Sequence, residues 1–158
     1  MSNLENKKLS SDLYNPDLAI LEKYQAFSKE LTRIALLCLG ILGFLLERII
    51  FPSSKDNFLN KNLDIFKTSS CLLYFSIILL IVSTACSIFH IYYSTDSLTH
   101  IVSMYRKKQD GNEYGYNEER HLRDFDFKLC SRLLFTSCIS LILGIVLGVI
   151  FYAKFLPA

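Results

Sequence analysis

The chain has 158 residues with a net charge of +2, and 51% of its residues are hydrophobic, which gives a mean hydropathy of +0.31. That composition is too apolar for an ordinary soluble protein of this length. The small net charge and the absence of a basic stripe with interleaved aromatic residues argue against a nucleic-acid partner. The apolar residues concentrate in three blocks, at 34–51, 70–93 and 133–153, whereas most charges lie between the blocks. Such a distribution is typical of an integral membrane protein.

An amphipathic helix is predicted ahead of the first apolar block. Residues 1–15 are polar and lack periodicity, which indicates a disordered tail. From Pro16, which suits a first helical turn, apolar residues recur at helical spacing along one face: Ile20, Tyr24, Phe27 and Leu31. This helix either packs against the rest of the chain or lies on the lipid surface. In both cases it leads directly into the membrane.

The first predicted span covers residues 34–51. Thirteen uncharged residues are followed by Glu47 and Arg48 before the apolar run resumes. The whole span would be roughly 27 Å long as a helix, so it crosses a bilayer only if the charged pair lies near one interface. Glu47 shares a face with Gly40 and Gly43. It is either an interfacial residue that reaches water or a residue that lines a pore or a helix contact.

The second predicted span, residues 70–93, has one polar face. Ser76, Ser83, Ser87 and His90 share this face at helical spacing. Serines on a membrane helix either form hydrogen bonds across a helix contact or line a wet pore, and both readings fit this spacing. His90 either sits in the interface or acts as a pH-sensitive gate, because imidazole titrates near neutral pH.

The third predicted span, residues 133–153, contains twenty consecutive residues without a charge. Thr136, Ser140, Gly144 and Gly148 recur in it every four residues. Small residues at this spacing let another helix approach closely in lipid, where packing drives association. Together with Gly40 and Gly43 on the first span, this stripe predicts helix packing and a homo-oligomer.

Residues 94–132 are predicted to form a helical hairpin that projects from the bilayer. The second helix continues past the membrane, the chain turns at 109–112, and Asn117 can cap the next helix. Twelve of the 17 basic residues lie in 1–33 and 94–132. The positive-inside rule therefore places the N-terminus and the hairpin in the cytoplasm and the C-terminus outside, across an inner or plasma membrane.

No catalytic, cofactor-binding or metal site is predicted. Asp96 and His100 lie four apart and His121 and Asp124 three apart, so each pair can meet on a helix face. A metal centre needs three or four ligands, and a nucleophilic site needs a serine or cysteine with an oriented base. Neither set can be assembled from the sequence, and no phosphate-binding or hydrolase motif is present. The five cysteines include no CxxC pair, which argues against a disulfide framework.

The run from ILEKYQAFSKELTRIALLCLGILGFLL through the second span to FHIYYSTDSLTHIVSMYR resembles the SLATT class of bacterial conflict-system membrane effectors. In that class an amphipathic lead-in helix, two membrane helices and a cytosolic helix follow one another in this order. The likeness covers residues 20–108, and the third span is an addition to the two-span form. The resemblance implies an oligomeric, membrane-permeabilising effector of antiviral defence. The activity of such an effector would be switched by a cytosolic partner or signal.

The sequence thus predicts an all-α integral membrane protein with three transmembrane helices extended into a cytosolic helical bundle, with residues 16–156 as one domain. The predicted function is that of a non-enzymatic, oligomeric pore-forming or membrane-permeabilising effector without a cofactor. The alternative is a non-conducting membrane interaction, immunity or assembly subunit. The expected partners are the lipid bilayer, further copies of the chain and a cytosolic protein.

Overall fold

The computed structural model describes residues 15–50 and 58–154, and it describes side chains over 18–47 and 66–154. Nearly every described residue is helical, and no strand occurs in these ranges. The predicted all-α class is therefore confirmed. Long apolar blocks without an internal proline satisfy their backbone hydrogen bonds locally as helices, which is what a span needs where water is absent.

Three helices follow one another along the chain, α1 (Asn15–Ile50), α2 (Phe58–Gln109) and α3 (Glu113–Ala153). The amphipathic helix and the first apolar block, which were predicted as successive elements, form the single helix α1. Position 15 was predicted to end the disordered tail, but it already belongs to α1. Positions 1–14 of that tail lie outside the described residues.

A tight turn joins α2 to α3. Gly111 has φ of 72°, a left-handed conformation that glycine adopts without a steric penalty. The side-chain oxygen of Asn112 accepts a hydrogen bond from the backbone N–H of Gly115 at 3.0 Å, which caps α3. The break predicted at 109–112 is confirmed. The cap predicted at Asn117 is wrong, because Asn112 already satisfies a first-turn donor and the helix begins earlier.

The helices form a three-helix bundle in which α2 and α3 are an antiparallel hairpin. At its open end the rings of Phe66 and Phe151 meet edge to face, with centroids 6.2 Å apart. Near the turn, Lys107 Nζ lies 2.7 Å from Glu119 Oε1. The two helices therefore contact each other over nearly the whole described length of the hairpin.

Helix α1 lies alongside this hairpin, antiparallel to α2 and parallel to α3. Ser28 Oγ lies 2.8 Å from His90 Nδ1, and further along α1 the Leu42 carbonyl accepts a hydrogen bond from the Tyr152 hydroxyl at 2.7 Å. A buried apolar cluster fills the space between the three helices: Leu31, Ala35, Leu42, Leu80 and Leu141. Helix α1 is thus part of the bundle.

The packed face of α1 differs from the predicted apolar face. The buried residues include Leu21, Ser28, Leu31 and Ala35, so only Leu31 is common to both. The bulky residues of the predicted face are about half exposed: Ile20, Tyr24 and Phe27. Small residues such as Ser28 and Ala35 allow close helix approach, so they occupy the packed face and the bulky side chains point outward.

Two segments are long and apolar enough to cross a membrane, Phe66–Gln109 within α2 and Glu113–Ala153, which is α3. They contain the second and third predicted spans. Within the described residues α1 contains no third segment of this kind, so the expected three segments are corrected to two. The reason is that Arg33 and Glu47 limit the uncharged run of α1 to thirteen residues. Position 51 of the first predicted span, residues 34–51, lies outside the described residues.

Candidate functional site: the serine seam and the hairpin end

The polar face predicted for the second span is buried inside the bundle. Ser76, Ser83 and Ser87 are fully buried, and His90 is 2% exposed. The same face continues through two further buried serines, and we call the whole set the serine seam: Ser76, Ser83, Ser87, His90, Ser94 and Ser97. Together with the buried apolar residues that lie between them on α2, these residues recur at alternating intervals of four and three positions along the sequence. That heptad spacing is typical of helices that pack along a common seam.

Hydrogen bonds join the serine seam to α3. Ser83 Oγ donates to the Ser137 carbonyl at 2.9 Å, and Ser137 Oγ donates to the Ser83 carbonyl at 3.0 Å. Ser87 Oγ lies 2.7 Å from Ser137 Oγ. Ser76 Oγ donates to the Gly144 carbonyl at 2.7 Å. The hydroxyl groups thus link two helices of one chain, and their donors are satisfied without water.

Most of the predicted small-residue stripe of α3 packs against the same chain. Ser140, Gly144 and Gly148 are buried, whereas Thr136 is exposed. A Cβ built on Gly144 would lie 3.0 Å from Leu80 Cγ, and one on Gly148 would lie 3.1 Å from Ser76 Oγ. Both glycines are therefore required for the close approach of α3 to its neighbours.

The small residues predicted on the first span have a different environment. Gly40 and Gly43 are exposed, and a Cβ added to either would meet no described atom within 4 Å. Glu47 on the same helix is also exposed. These residues leave an open surface on the outer side of α1.

A pocket of about 420 Å³ opens where all three helices meet, and its lining includes Leu21, His90 and Cys130. Ser94 also lines it, and its fully buried hydroxyl has no hydrogen-bond partner among the described residues. His90 is held at Nδ1 by Ser28, whose own side chain is fully buried. Ser28 and His90 thus form a buried polar contact between α1 and α2.

We call the part of α2 and α3 between residues 96 and 126 the hairpin end. There the contacts between the two helices involve charged side chains as well as serines. Glu119 accepts hydrogen bonds there from Lys107 Nζ at 2.7 Å and Ser103 Oγ at 2.9 Å, and its Oε2 lies 2.7 Å from His100 Nδ1. The hydrogen bonds from Lys107 and then from His100 lower the pKa of the Glu119 carboxyl to about 2. Glu119 is therefore an ionised hub that fixes the neighbouring side chains of α2.

A second carboxylate faces the same histidine. Asp126 is only 6% exposed, and its Oδ2 lies 3.9 Å from His100 Nε2 and 3.5 Å from Ser97 Oγ. Burial raises the pKa of Asp126, and nearby Asp96 raises it further, whereas His100 and Ser97 act in the opposite direction. One ligand atom from each of Asp96, His100 and Asp126 lies within 4.8 Å of the other two.

The two pairs recognised in the sequence have different surroundings in the bundle. Asp96 and His100 meet Asp126 from α3, a residue that sequence reasoning missed. Asp124 forms an ion pair with Arg123 at 2.7 Å, which lowers the pKa of that aspartate, and His121 is exposed. Other residues that form hydrogen bonds with α2 and that the sequence did not reveal are Ser28, Glu119 and Ser137. Heptad spacing from 130 and 137 back to 126 is a signal that would have placed Asp126 inside.

No protein-family model, curated protein or solved structure matches the chain. Its function is therefore inferred from the geometry of the bundle.

Proposed function

We propose that the chain is a non-enzymatic membrane protein that acts as a non-conducting interaction subunit. The observation that carries this proposal is the reciprocal pair of hydrogen bonds between Ser83 and Ser137. A polar face that is satisfied inside one chain has no need of a water-filled pore. The serine seam then serves to hold the membrane helices in one fixed arrangement.

Helix α1 does not itself qualify as a membrane-length apolar segment, but its packing supports a position beside α2 and α3 in the bilayer. Ser28 contacts His90 and Leu42 contacts Tyr152, so the uncharged run of α1 lies beside the apolar parts of α2 and α3. Bulky side chains on its outer face are exposed, as lipid-facing residues would be: Ile34, Leu36, Leu37, Ile41 and Phe44. Thirteen residues span only about 20 Å, so Arg33 and Glu47 at the two ends would extend their side chains to the interfaces.

The orientation follows from the same packing. Gln25 near the start of α1 donates to Thr95 Oγ1 at 3.3 Å, so the beginning of α1 and the hairpin end lie on one side of the membrane. Twelve of the 17 basic residues lie in 1–33 and 94–132, which supports a cytoplasmic position for that side. A membrane-impermeant thiol reagent tests this. In a cysteine-free background it should label Lys154→Cys in intact cells and should label Glu118→Cys only after lysis.

The hairpin end offers a surface for a cytosolic partner. Leu122 and Phe125, three residues apart on α3, are exposed by 45% and 65%, and Tyr114 is more exposed still. Exposed apolar side chains outside the membrane are typical of protein-binding sites. Mass spectrometry after crosslinking from Glu118 tests for such a partner, and Leu122→Ser with Phe125→Ser should remove the crosslinked protein.

Liposome leakage separates this proposal from the second candidate, an oligomeric membrane-permeabilising effector. The open surface of Gly40, Gly43 and Glu47 favours that candidate, because it could receive a second copy of α1. A non-conducting subunit retains an entrapped dye at every protein-to-lipid ratio. Dye release that Gly40→Leu with Gly43→Leu abolishes would instead establish the effector and overturn the first proposal.

A further inference from the structure

The hairpin end carries an excess of negative charge beside a histidine. Asp96 and Asp126 both lie near His100, and the Asp96 carboxylate makes no hydrogen bond or ion pair within the described part of the chain. The ion-paired cations nearby contact other carboxylates, since Lys107 contacts Glu119 and Arg123 contacts Asp124. Asp126 is the buried carboxylate of the two, whereas Asp96 is exposed, and buried carboxylates in proteins are normally paired with a cation or coordinate a metal.

The geometry of His100 supplies an independent argument. Glu119 Oε2 lies 2.7 Å from Nδ1 of the ring, so a carboxylate is already the partner of Nδ1, and Nε2 is the nitrogen on the side of Asp126. Nε2 faces Asp126 Oδ2 at 3.9 Å. In metal sites a histidine typically donates its second ring N–H to a carboxylate while the other nitrogen binds the metal. Glu119 has the position of that outer carboxylate.

We propose that the hairpin end binds one divalent first-row transition metal ion through Nε2 of His100 and the carboxylates of Asp96 and Asp126. Ligand atoms about 2.1 Å from a tetrahedral metal lie about 3.4 Å apart. The observed separations are 3.9 Å between His100 Nε2 and Asp126 Oδ2 and no more than 4.8 Å within the trio, so metal binding requires the three side chains to move closer together. One imidazole and two carboxylates suit Zn²⁺ or Mn²⁺, and water completes the coordination. The ion would tie α2 to α3 next to the turn, whether or not the chain conducts.

Titration calorimetry on the tag-free full chain in detergent micelles, stripped of metal with EDTA, tests the site with Zn²⁺ and Mn²⁺ alone. One ion per chain should bind, and Zn²⁺ should raise the unfolding temperature. Asp96→Asn, Asp126→Asn and His100→Gln should each weaken binding at least about tenfold, and Glu119→Gln by about 10- to 100-fold. Asp96→Asn is the cleanest variant, because that side chain is exposed and its loss leaves the fold intact.

His121→Gln is the matched control, since His121 is an exposed histidine on the same hairpin. It should leave the affinity within about twofold. The proposal is overturned if neither ion binds saturably at concentrations up to about 1 mM. It is equally overturned if Zn²⁺ binds but Asp96→Asn leaves the affinity unchanged, because the ion would then lie elsewhere on the chain.

Discussion

The hairpin of α2 and α3 has two polar interiors that use the same heptad positions with different chemistry. Along the apolar part, Ser83, Ser87 and Ser137 exchange hydrogen bonds between neutral hydroxyls and backbone carbonyls. At the hairpin end, Glu119 and Asp126 occupy the same interface as charged or ionisable groups.

The difference follows from the surrounding medium. Within a bilayer an unpaired charge is very costly, but a serine can donate to a carbonyl of the neighbouring helix and remain neutral. Outside the bilayer, water reaches the edge of the helix interface, and a carboxylate there costs less free energy if a lysine or histidine lies near it. In the proposed membrane arrangement, the change from serine to carboxylate along one seam would mark the level at which the hairpin leaves the membrane.

The largest effect is expected from the glycines that allow close approach in the neutral part. Gly144→Leu with Gly148→Leu places branched side chains against Leu80 and Ser76, which lie 3.0–3.1 Å from the added Cβ atoms. Overpacking typically costs about 1–3 kcal/mol at each site, so the double variant should lose most of its stability. Chemical unfolding in micelles, followed by circular dichroism, measures this.

The control for that experiment is Gly40→Leu with Gly43→Leu, because neither added side chain meets a described atom within 4 Å. Its unfolding midpoint should match that of the wild-type chain. Equal destabilisation of both double variants would contradict the asymmetry between the two glycine pairs.

A smaller, local effect is expected at the charged hairpin end. Glu119→Gln removes the carboxylate charge that Lys107 contacts, so a neutral amide replaces the charge-assisted acceptor of that ammonium group. Hydrogen bonds to charged groups contribute about 1.5–3 kcal/mol. Amide hydrogen exchange in metal-free buffer should accelerate near the turn and stay slow around Ser83. The control is Glu118→Gln at the exposed neighbouring position, which should leave amide exchange unchanged. If Glu119→Gln accelerates exchange throughout both helices, the hairpin does not consist of two separable regions.

The smallest effect concerns single hydroxyls in the neutral part. Ser137→Ala removes the hydrogen bonds that Ser137 Oγ makes with the Ser83 carbonyl and the Ser87 hydroxyl, whereas Ser83 Oγ still donates to the carbonyl of residue 137. Interhelical hydrogen bonds in membranes contribute about 0.6–1.7 kcal/mol each. A loss of about 1–2 kcal/mol is expected in the unfolding free energy. Thr136→Ala, one residue earlier and exposed, should change it by less than about 0.5 kcal/mol. Similar losses for both would mean that the hydroxyl contacts are not specific.

Sequence periodicity identified the serine face but not what the face touches. Ser76, Ser83, Ser87 and His90 have the same spacing whether they line a pore or meet a neighbouring helix. The partner residue Ser137 lies about fifty positions away, and nothing local identifies it. On α1 the rule that apolar residues face inward gave the wrong face, because Ser28 and Ala35 pack inside.

The candidate metal site shows a similar limit. The sequence paired Asp96 with His100 through their helical spacing, which is local information. The third ligand, Asp126, comes from α3 and reaches the pair only through the register of the hairpin. That register depends on the turn at Gly111, whose position was predicted, and on the Asn112 cap, which was not.

Closure of the serine seam within a single chain is tested most directly by a cysteine pair. Ser83 Oγ and Ser137 Oγ lie 3.1 Å apart, so Ser83→Cys with Ser137→Cys, in a background without the five native cysteines, places two thiols at the centre of the seam. Mild oxidation in native membranes should yield an intrachain disulfide, seen as a monomer whose gel mobility changes on reduction. Disulfide-linked dimers or larger species as the main product would show that the seam closes between chains, and the proposed single-chain bundle would be wrong.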